Sequence, residues 1–495
     1  MPTRGLPSTE SKLSPSRPGS ALPDPSSLLP FRCQTIPTVL DTGLQIKSLR
    51  NLFALVMFMF VVVHPATGQS VAAKVAEYMN AQVEVNRFRG AVLVAKGGKV
   101  LVTKSYGTAN GAPDRTLGGT ERYHLGSISK QFTAAAILQL REQGKLQTQD
   151  SVCGYLPNCP AEWQKIKIFD LLVQTDGIPE VDGPFERGTA QSADAPPDLL
   201  ARLGDRPLEF KPGQRVKYGG SGYAVLEAVV ERISGEQYSG YLKNHIFTRL
   251  NMEDTGYDDA PPVDHGHVAA HSQESPGTEP APDDRAVAYP YFNGRLYSTV
   301  ADLSRWDREL YGGKVISKRS VDEMFKPYFD GNGFGWAIRR EFDLVVDMQL
   351  AGLRVISSSY RRYADANSCV IVLSNEDFVD AEKISHDLAA ILFGQHYELP
   401  VRRHRVTLDP AIYDSYVGRY ELAPDSALIV TREGSRLMIQ GIGPSAVEIQ
   451  PESTTRFFAT GLGSEINFVT GDDAKTVELI LQQGGRDIPV IKVKQ

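Results

Sequence analysis

Two apolar stretches near residue 95 flank a pair of glycines. Residues 91–95 and 100–102 are almost entirely apolar, and Gly97-Gly98 lies between them. This pattern predicts a β-hairpin with a glycine turn. Further along, apolar residues at helical spacing predict a helix over residues 127–143.

The middle of the chain continues to mix helices with strands. Helical periods occur over residues 223–233 and 384–392. Strand-like runs occur at residues 343–346, 353–360 and 370–373. This order predicts an α/β (α+β) sandwich around a mostly antiparallel sheet. A stretch rich in Pro, Asp, Ala and His over residues 258–290 is predicted to be a long surface excursion.

The last part of the chain has a different pattern, because no helical period appears after Val417. Short alternating runs, separated by turn residues, occur at residues 427–431, 436–440, 465–470, 477–482 and 488–494. Such runs predict a small all-β module in the form of a closed barrel. With the connector placed near residues 400–404, the predicted domains span residues 69–400 and 401–495.

The first 68 residues differ from everything that follows. Residues 1–46 are rich in Pro, Ser and Thr, which predicts disorder. Lys47 and Arg50 then precede an uncharged apolar stretch over residues 52–63, and Ala66-Thr67-Gly68 resembles a cleavage site. This layout predicts a leader with a secretory signal over residues 1–68, and an exported protein, periplasmic or extracellular. The alternatives are a short buried helix or an uncleaved anchor, although a bilayer span takes about 20 residues.

Length and charge restrict the classes of function. The chain has 495 residues, too many for one ordinary core, and its 41% hydrophobic and 23% charged residues are normal for a globular protein. A formal net charge of −6 argues against a protein that binds nucleic acid through its phosphates. No phosphate-binding glycine-rich loop or dinucleotide fingerprint stands out, so no cofactor is predicted.

The four cysteines are too few for a disulfide scaffold. Cys153 and Cys159 flank a turn-rich stretch, and in an oxidising compartment they can close a small loop by a disulfide. Two unpaired thiols are the alternative. Cys33 belongs to the leader, and Cys369 lies in an apolar run and is predicted to be a buried core residue.

A serine and a lysine three residues apart stand at the start of the first predicted helix. Residues at this spacing lie on one helical face, so Ser127 Oγ and Lys130 Nζ can meet. A serine hydroxyl becomes a good nucleophile only when a neighbouring base takes its proton. The helix N-terminus adds N–H groups that favour a developing oxyanion. Taken alone, the spacing is common, and a capping serine beside a solvated lysine is the alternative.

The surrounding sequence makes this pattern specific. Residues 123–137, centred on Gly126-Ser127-Ile128-Ser129-Lys130, closely resemble the Ser-x-x-Lys segment of the β-lactamase-related serine hydrolases. That family includes class C β-lactamases, penicillin-binding proteins, D-aminopeptidases and esterases. Further matching segments follow in the family order, at residues 144–146, 155–157, 210–213, 218–223, 296–303, 333–336 and 372–375. The resemblance covers about residues 75–395, and residues 410–495 resemble the lipocalin-like barrel appended to some members.

The resemblance implies a mechanism and a set of site residues. Ser127 is the expected nucleophile, and Lys130 and Tyr218 are expected to relay protons through an acyl-enzyme reaction. The backbone N–H groups of Ser127 and Gly352 are expected to bind the oxyanion. A packed loop aromatic is the alternative reading of Tyr218.

Three family motifs are altered in this chain. The Tyr-x-Asn motif reads Tyr218-Gly219-Gly220, and Gly220 has no side-chain amide to hold the lysine or the substrate. The Lys-Thr-Gly or His-x-Gly motif falls at Gln349-Leu350-Ala351, where the neutral Gln349 attracts no carboxylate by charge. In a third segment, Gln174 and Asp176 stand where the family has His and Ser. These changes indicate either relaxed function or a compensated site.

Two functions therefore remain open. The first is an exported serine hydrolase that acts on a small ester, a D-amino-acid peptide or a β-lactam-like compound, and that hydrolyses β-lactams poorly. The second is a catalytically weak or inactive relative that binds peptidoglycan-like ligands or a partner. The C-terminal domain is a candidate contact surface for a homo-oligomer. A membrane contact is expected only through an uncleaved signal segment.

A histidine cluster offers a competing chemistry. His265, His267 and His271 lie beside Asp264, and two histidines at this spacing can share a metal ion when the chain is extended. The stretch is Pro-rich and no distant ligand is identifiable, so solvated loop histidines are favoured and no metal site is predicted.

Overall fold

The computed structural model describes residues 69–107, 120–180, 200, 203–257, 296–353, 356–376, 379–423, 426–441, 446–459, 465–471, 476–483 and 486–493. All of these belong to one unit, Gly68–Gln495. The leader over residues 1–68, the excursion over residues 258–290 and the histidine cluster lie outside the described residues. Within the described part of the chain, no helix combines the length and apolar character that a membrane span requires.

Eight α-helices are described. They are α1 (Val71–Asn86), α2 (Lys130–Glu142), α3 (Ile168–Leu172), α4 (Ser221–Ser234), α5 (Tyr238–Leu242), α6 (Val300–Gly312), α7 (Lys318–Met324) and α8 (Ala381–Phe393). Short 3₁₀ turns occur at Gly126–Ser129, Val152–Gly154, Ala161–Lys165, Thr248–Leu250, Phe329–Gly331, Ala364–Ala366 and Pro410–Ser415, and a π turn occurs at Lys243–Phe247.

The described strands form two sheets and a barrel. In the first part of the chain they are β1 (Gly90–Lys96), β2 (Lys99–Tyr106), β3 (Tyr123–His124), β4 (Gly256–Tyr257), β5 (Leu296–Ser298), β6 (Ala337–Glu341), β7 (Leu344–Leu353), β8 (Ile356–Tyr363) and β9 (Ser368–Leu373). In the last part they are β10 (Gly418–Ala423), β11 (Ser426–Glu433), β12 (Arg436–Gln440), β13 (Val447–Pro451), β14 (Arg456–Ala459), β15 (Glu465–Thr470), β16 (Thr476–Gln483) and β17 (Arg486–Lys492).

The main sheet has the order β2-β1-β9-β8-β7-β6, and all neighbouring strands are antiparallel. The neighbouring strands β1 and β9 are apolar at nearly every position because both faces of the sheet are covered. In β1, Leu93 packs into one core, while Val92 and Val94 point to the opposite face and pack into another. The predicted sandwich around an antiparallel sheet is confirmed.

Each face of this sheet is covered by helices. On one face, α2 and α4 contribute apolar residues such as Phe132 and Leu226 to the larger core. On the other face, α1 and α8 contribute residues such as Tyr78 and Leu388 to the second core. The short sheet β3-β5-β4 lies beside the chain that leads into the Gly126–Ser129 turn. This arrangement places the start of α2 inside the protein.

Three predicted boundaries in the first part of the chain are wrong by a few residues. The helix predicted from residue 127 begins with the tighter 3₁₀ turn Gly126–Ser129, because Gly126 has a left-handed φ of 51° and the Ser129 hydroxyl donates to the Gly126 carbonyl. The strand predicted over residues 343–346 is the longer β7. It starts after a turn in which Phe342 and Asp343 have positive φ angles, and it continues to Leu353. The strand predicted over residues 353–360 is therefore β8, which begins at Ile356.

The C-terminal barrel closes through the pairing of β10 with β17, where Tyr420 lies opposite Lys492. Its eight strands enclose an aromatic core in which the rings of Tyr416 and Phe468 stack with centroids 4.3 Å apart. Period-2 alternation along the strands places apolar residues such as Phe468 inside and polar residues outside. The predicted closed barrel is confirmed, although the sequence pattern did not reveal β10, β13 and β14.

The basic connector before the barrel is paired with acidic side chains. Arg402 lies 3.6 Å from Glu84, and Arg403 forms an ion pair with Glu465. These contacts are largely exposed and each contributes little to stability. Elsewhere, a disulfide joins Cys153 to Cys159, whose Cα atoms are 5.2 Å apart.

Candidate active site

The nucleophile candidate Ser127 lies in the 3₁₀ turn that precedes α2. The Leu125 N–H donates to the Leu296 carbonyl at 2.8 Å, which ties the turn to β5. Gly126 provides the left-handed φ of 51° that the sharp entry into the turn requires. The serine is therefore presented at the N-terminal end of a buried helix, where backbone N–H groups are free of intrahelical partners.

Lys130 is the first residue of α2, and it is 1% exposed. Its Nζ donates hydrogen bonds to Ser127 Oγ at 3.2 Å and to the Tyr218 hydroxyl at 3.4 Å. The same nitrogen lies 4.7 Å from the Tyr218 ring centroid and 5.6 Å from that of Tyr223. A buried amine is costly without polar partners, so this geometry indicates a built site and not a solvated lysine.

Tyr218 stands on the loop that leads into α4. Its side chain is 50% exposed, and its hydroxyl lies between Lys130 Nζ and Gln349 Oε1, at 3.4 Å and 3.5 Å. Both contacts are long for hydrogen bonds. The phenol is thus turned toward the serine and lysine, in the position a proton relay needs, and is not packed into the core.

Gln349 lies on β7, where the family motif would place a cation. Its Oε1 accepts from the Tyr218 hydroxyl, and its Nε2 donates to the Gly335 carbonyl at 3.0 Å. A Cβ on Gly335 would lie 2.8 Å from the Lys130 carbonyl oxygen, and the residue also has a positive φ of 80°. Glycine is therefore required at position 335. The segment over residues 333–336, which resembles a family landmark, packs against the Lys130 backbone and binds the Gln349 side chain.

Gly352 lies further along β7, opposite Ser357 of β8. The described pairing of β6 with β7 ends where Ala337 faces Met348. β7 also runs beside the Gly126–Ser129 turn. The strand that carries Gly352 is therefore close to the nucleophile turn, which is where an N–H group of the oxyanion site must lie.

The loop that carries Tyr218 is bonded to two side chains that sequence reasoning did not assign to the site. Gln174 Oε1 accepts from the Gly219 N–H at 2.8 Å. Glu180 Oε1 accepts from the Gly220 N–H at 2.9 Å and from the Ser221 N–H at 3.2 Å. Only the altered motif at residues 171–177 pointed to this region, and it gave no sign of these bonds.

Asp176 lies buried beneath the same loop. Burial raises the pKa of its carboxyl to about 7, and the carboxylates of Glu180 and Asp170 also raise it, while the N–H of Ile178, at 2.8 Å from Oδ1, lowers it. A Cβ on Gly222 would lie 2.7 Å from Asp176 Oδ2. The carboxyl group thus fills space against the first turn of α4.

The structure brings Ser127, Lys130, Tyr218 and Gln349 into one chain of contacts, and it places Gly220 next to Tyr218. Gly352 lies on the strand that passes the nucleophile turn. Within the described ranges, no three His, Cys, Asp or Glu side chains converge as a metal-ligand group. The arrangement supplies a serine hydroxyl, a buried amine and a phenol, which is a set suited to acyl transfer.

Comparison with known proteins gives one family. The model of the family described as Beta-lactamase matches residues 71–393. Penicillin-binding protein 4* of Bacillus subtilis (strain 168) is 32% identical over 438 residues, which are 83% of this chain and 96% of that protein. The matched length therefore includes nearly the whole of that relative.

Solved structures show the same fold. The octameric penicillin-binding protein homologue from Pyrococcus abyssi aligns with a TM-score of 0.58 at 21% identity, over 85% of this chain and 99% of that one. A D-stereospecific amidohydrolase from Streptomyces sp. aligns with a TM-score of 0.54 at 23% identity, over 66% of this chain and all of that one. At these identities the likeness concerns the fold alone.

Proposed function

Because this chain belongs to the beta-lactamase family of serine hydrolases, we propose that it is an exported hydrolase that cleaves an ester or amide through an acyl-enzyme on Ser127. The observation that carries the proposal is the contact chain from Ser127 Oγ through Lys130 Nζ to the Tyr218 hydroxyl, with distances of 3.2 Å and 3.4 Å. Export is inferred from the leader pattern at residues 1–68.

In the acylation step, Ser127 Oγ attacks the substrate carbonyl carbon, and its proton passes to Lys130 in its neutral form. The N–H groups of Ser127 and Gly352 stabilise the oxyanion. When the intermediate collapses, the bond to the leaving group breaks, the Tyr218 hydroxyl protonates that group, and Lys130 returns its proton to Tyr218. The contact between Lys130 and Tyr218 provides the path for this return.

In the deacylation step, water attacks the Ser127 ester, and Lys130 with Tyr218 accepts the water proton. The bond between Oγ and the acyl carbon breaks, Ser127 regains a proton, and a carboxylic acid leaves. The overall reaction therefore consumes one water for each ester or amide cleaved, and it needs no cofactor.

The substrate is proposed to be a small ester or a D-amino-acid peptide, and β-lactams are proposed to react poorly. Gln349 is buried and neutral at the position where the family uses a cation. A charge-assisted hydrogen bond contributes about 1.5–3 kcal/mol, so its loss costs about one to two decades in rate for a substrate that carries a carboxylate.

The test is the intact mass of the protein after incubation with p-nitrophenyl acetate and, separately, with a penicillin. We expect a transient acetyl adduct and a burst of nitrophenol that are absent in Ser127→Ala, and slow or no penicillin adduct. A folded protein that shows neither adduct nor burst would contradict the proposal. Ligand binding that survives Ser127→Ala without turnover would then favour the alternative, an inactive relative that binds peptidoglycan-like ligands or a partner.

We also propose that the barrel joins copies of this chain into a homo-oligomer. Ile491 is 68% exposed on β17, next to the closing seam of the barrel, and Val493 is exposed nearby. The Pyrococcus homologue that shares the fold over almost its full length is octameric. Light scattering of the purified protein should give a multiple of the monomer mass, and Ile491→Lys should reduce it; a monomeric wild-type protein would contradict the proposal.

A further inference from the structure

Three successive N–H groups after Tyr218 are bonded to only two side chains, both from one short segment. Gln174 Oε1 takes the Gly219 N–H, and Glu180 Oε1 takes the N–H groups of Gly220 and Ser221, at 2.8–3.2 Å. The Gln174 carbonyl also accepts from the Lys217 N–H at 3.0 Å. Gln174 therefore binds the backbone on both sides of Tyr218. We call Gln174, Glu180 and these bonds the amide clamp.

The clamp explains why residue 219 is glycine. A Cβ built on Gly219 would lie 1.8 Å from Glu180 Oε1 and 2.7 Å from its Cδ. A side chain and the bound carboxylate therefore cannot occupy this space together. Because Gly219 has no left-handed φ, the close approach of Glu180, and not backbone conformation, is the reason for glycine at this position.

The clamp also completes the start of α4. Gly220 is the N-cap residue of this helix and has no side chain to accept the first N–H groups. The Glu180 carboxylate accepts two of them from outside the helix, and a negative charge is favourable at this end. The Glu180 backbone is held in turn by Arg206, whose guanidinium donates to the Glu180 carbonyl at 2.9 Å.

Tyr218 needs such support because its own side chain is weakly held. It is half-exposed, and its hydroxyl makes contacts of 3.4 Å and 3.5 Å. The position of its hydroxyl is thus set mainly by the backbone that carries it. Misplacing a catalytic group by about 1 Å can cost about 100-fold in rate.

We propose that Gln174 and Glu180 are positioning residues that fix Tyr218 against Lys130, so that the contact between these two side chains is kept although the asparagine of the family motif is absent. This inference rests on the proposed acyl-transfer function of Ser127. It makes the altered residues at 174 and 220 parts of one compensated arrangement.

The test combines four variants with acylation kinetics on p-nitrophenyl acetate. Glu180→Ala and Gly219→Ala should each lower the acylation kcat about 10- to 100-fold with KM nearly unchanged, since one removes the carboxylate and the other displaces it. The double variant should be no slower than the slower single variant, because both changes break the same contact. Glu180→Gln keeps an acceptor oxygen and should restore kcat to within about threefold of wild type. Glu77→Ala, on exposed α1 surface, is the matched control.

A second measurement does not depend on activity. Amide hydrogen exchange over residues 217–224 should become faster in Glu180→Ala, also in the Ser127→Ala background, and should stay slow in Glu180→Gln. Unchanged kcat and exchange in Glu180→Ala, or additive losses in the double variant, would overturn the positioning role alone. A wild-type protein that is not acylated at all would overturn the proposed function and, with it, the catalytic meaning of the clamp, whatever the exchange data show.

Discussion

The two walls of the site are held in place differently. The Gly126–Ser129 turn and Lys130, which we call the nucleophile wall, are packed against the hydrophobic core. Tyr218 and Gln349, which we call the facing wall, are held largely by polar contacts. In the nucleophile wall, α2 is buried along nearly its whole length. In the facing wall, Tyr218 is half-exposed and its loop depends on Gln174 and Glu180. Packing can therefore preserve the nucleophile wall, while the facing wall changes both its residues and the side chains that hydrogen-bond its loop.

The largest effect is expected from Lys130→Met, which removes the amine and keeps the volume of the side chain. The acylation rate should fall about 1,000-fold, because a positioned base contributes about 10²–10⁴. Stopped-flow release of nitrophenol measures it, and Lys145→Met, at an exposed position just after the same helix, should stay within about twofold of wild type. A Lys130→Met protein with normal acylation would show that the base lies outside the nucleophile wall.

Tyr218→Phe should have the next largest effect, about 100-fold on kcat. The variant keeps the ring whose centroid lies 4.7 Å from Lys130 Nζ and removes only the hydroxyl. KM for p-nitrophenyl acetate should change little, because the hydroxyl is proposed to move protons and not to bind substrate. An unchanged kcat would show that Tyr218 is only a packed loop aromatic and that the catalytic groups belong to the nucleophile wall alone.

The sequence was sufficient for the parts of the molecule that local patterns determine. The apolar run of β1 and the helical period of α2 both reflect burial against neighbours, and the Ser127-Lys130 pairing follows from helical spacing. The supports of Tyr218 could not be predicted in this way. Gln174 and Gly219 are 45 residues apart, and Glu180 and Gly220 are 40 apart, so their bonds depend on the folded chain. The altered motifs alone suggested decay as readily as compensation.

Asp176→Asn should make the protein more stable at high pH, by about 2 kcal/mol at pH 8. Because the carboxyl has a pKa of about 7 when folded and about 4 when unfolded, the folded state binds the extra proton between these values. The contribution of the protonated Asp176 carboxyl to the free energy of unfolding is therefore complete at pH 4 and is lost as the pH rises to 7. The full pKa difference corresponds to about 4 kcal/mol in the free energy of unfolding. The buried amide of the Asn variant needs hydrogen-bond partners of its own, and this cost offsets part of the gain.

Urea unfolding at pH 4, 6 and 8 tests this expectation. The advantage of Asp176→Asn over wild type should grow from pH 4 to pH 7 and stay constant above it. A difference that is independent of pH, or a variant less stable at pH 8, would show that the buried carboxylate is ionised without penalty. The first turn of α4, against which Asp176 packs, would then accommodate a charge more easily than burial of this carboxyl indicates.

The smallest effect is expected from Gln349→Lys, which returns a cation to the facing wall. The lysine amine can keep the bond to the Gly335 carbonyl that Gln349 Nε2 makes at 3.0 Å, and it can attract a substrate carboxylate. Acylation by a penicillin should rise about 10-fold, less than an ideal charged hydrogen bond allows, because the position of Gln349 is buried and burial disfavours a charged amine. The neutral p-nitrophenyl acetate is the internal control and should change less than twofold. Equal gains for both substrates would mean that Gln349 acts through the position of Tyr218. No gain for penicillin would mean that recognition of a carboxylate needs more than one charge in the facing wall. The altered residues of that wall could then not be reversed by a substitution at a single position.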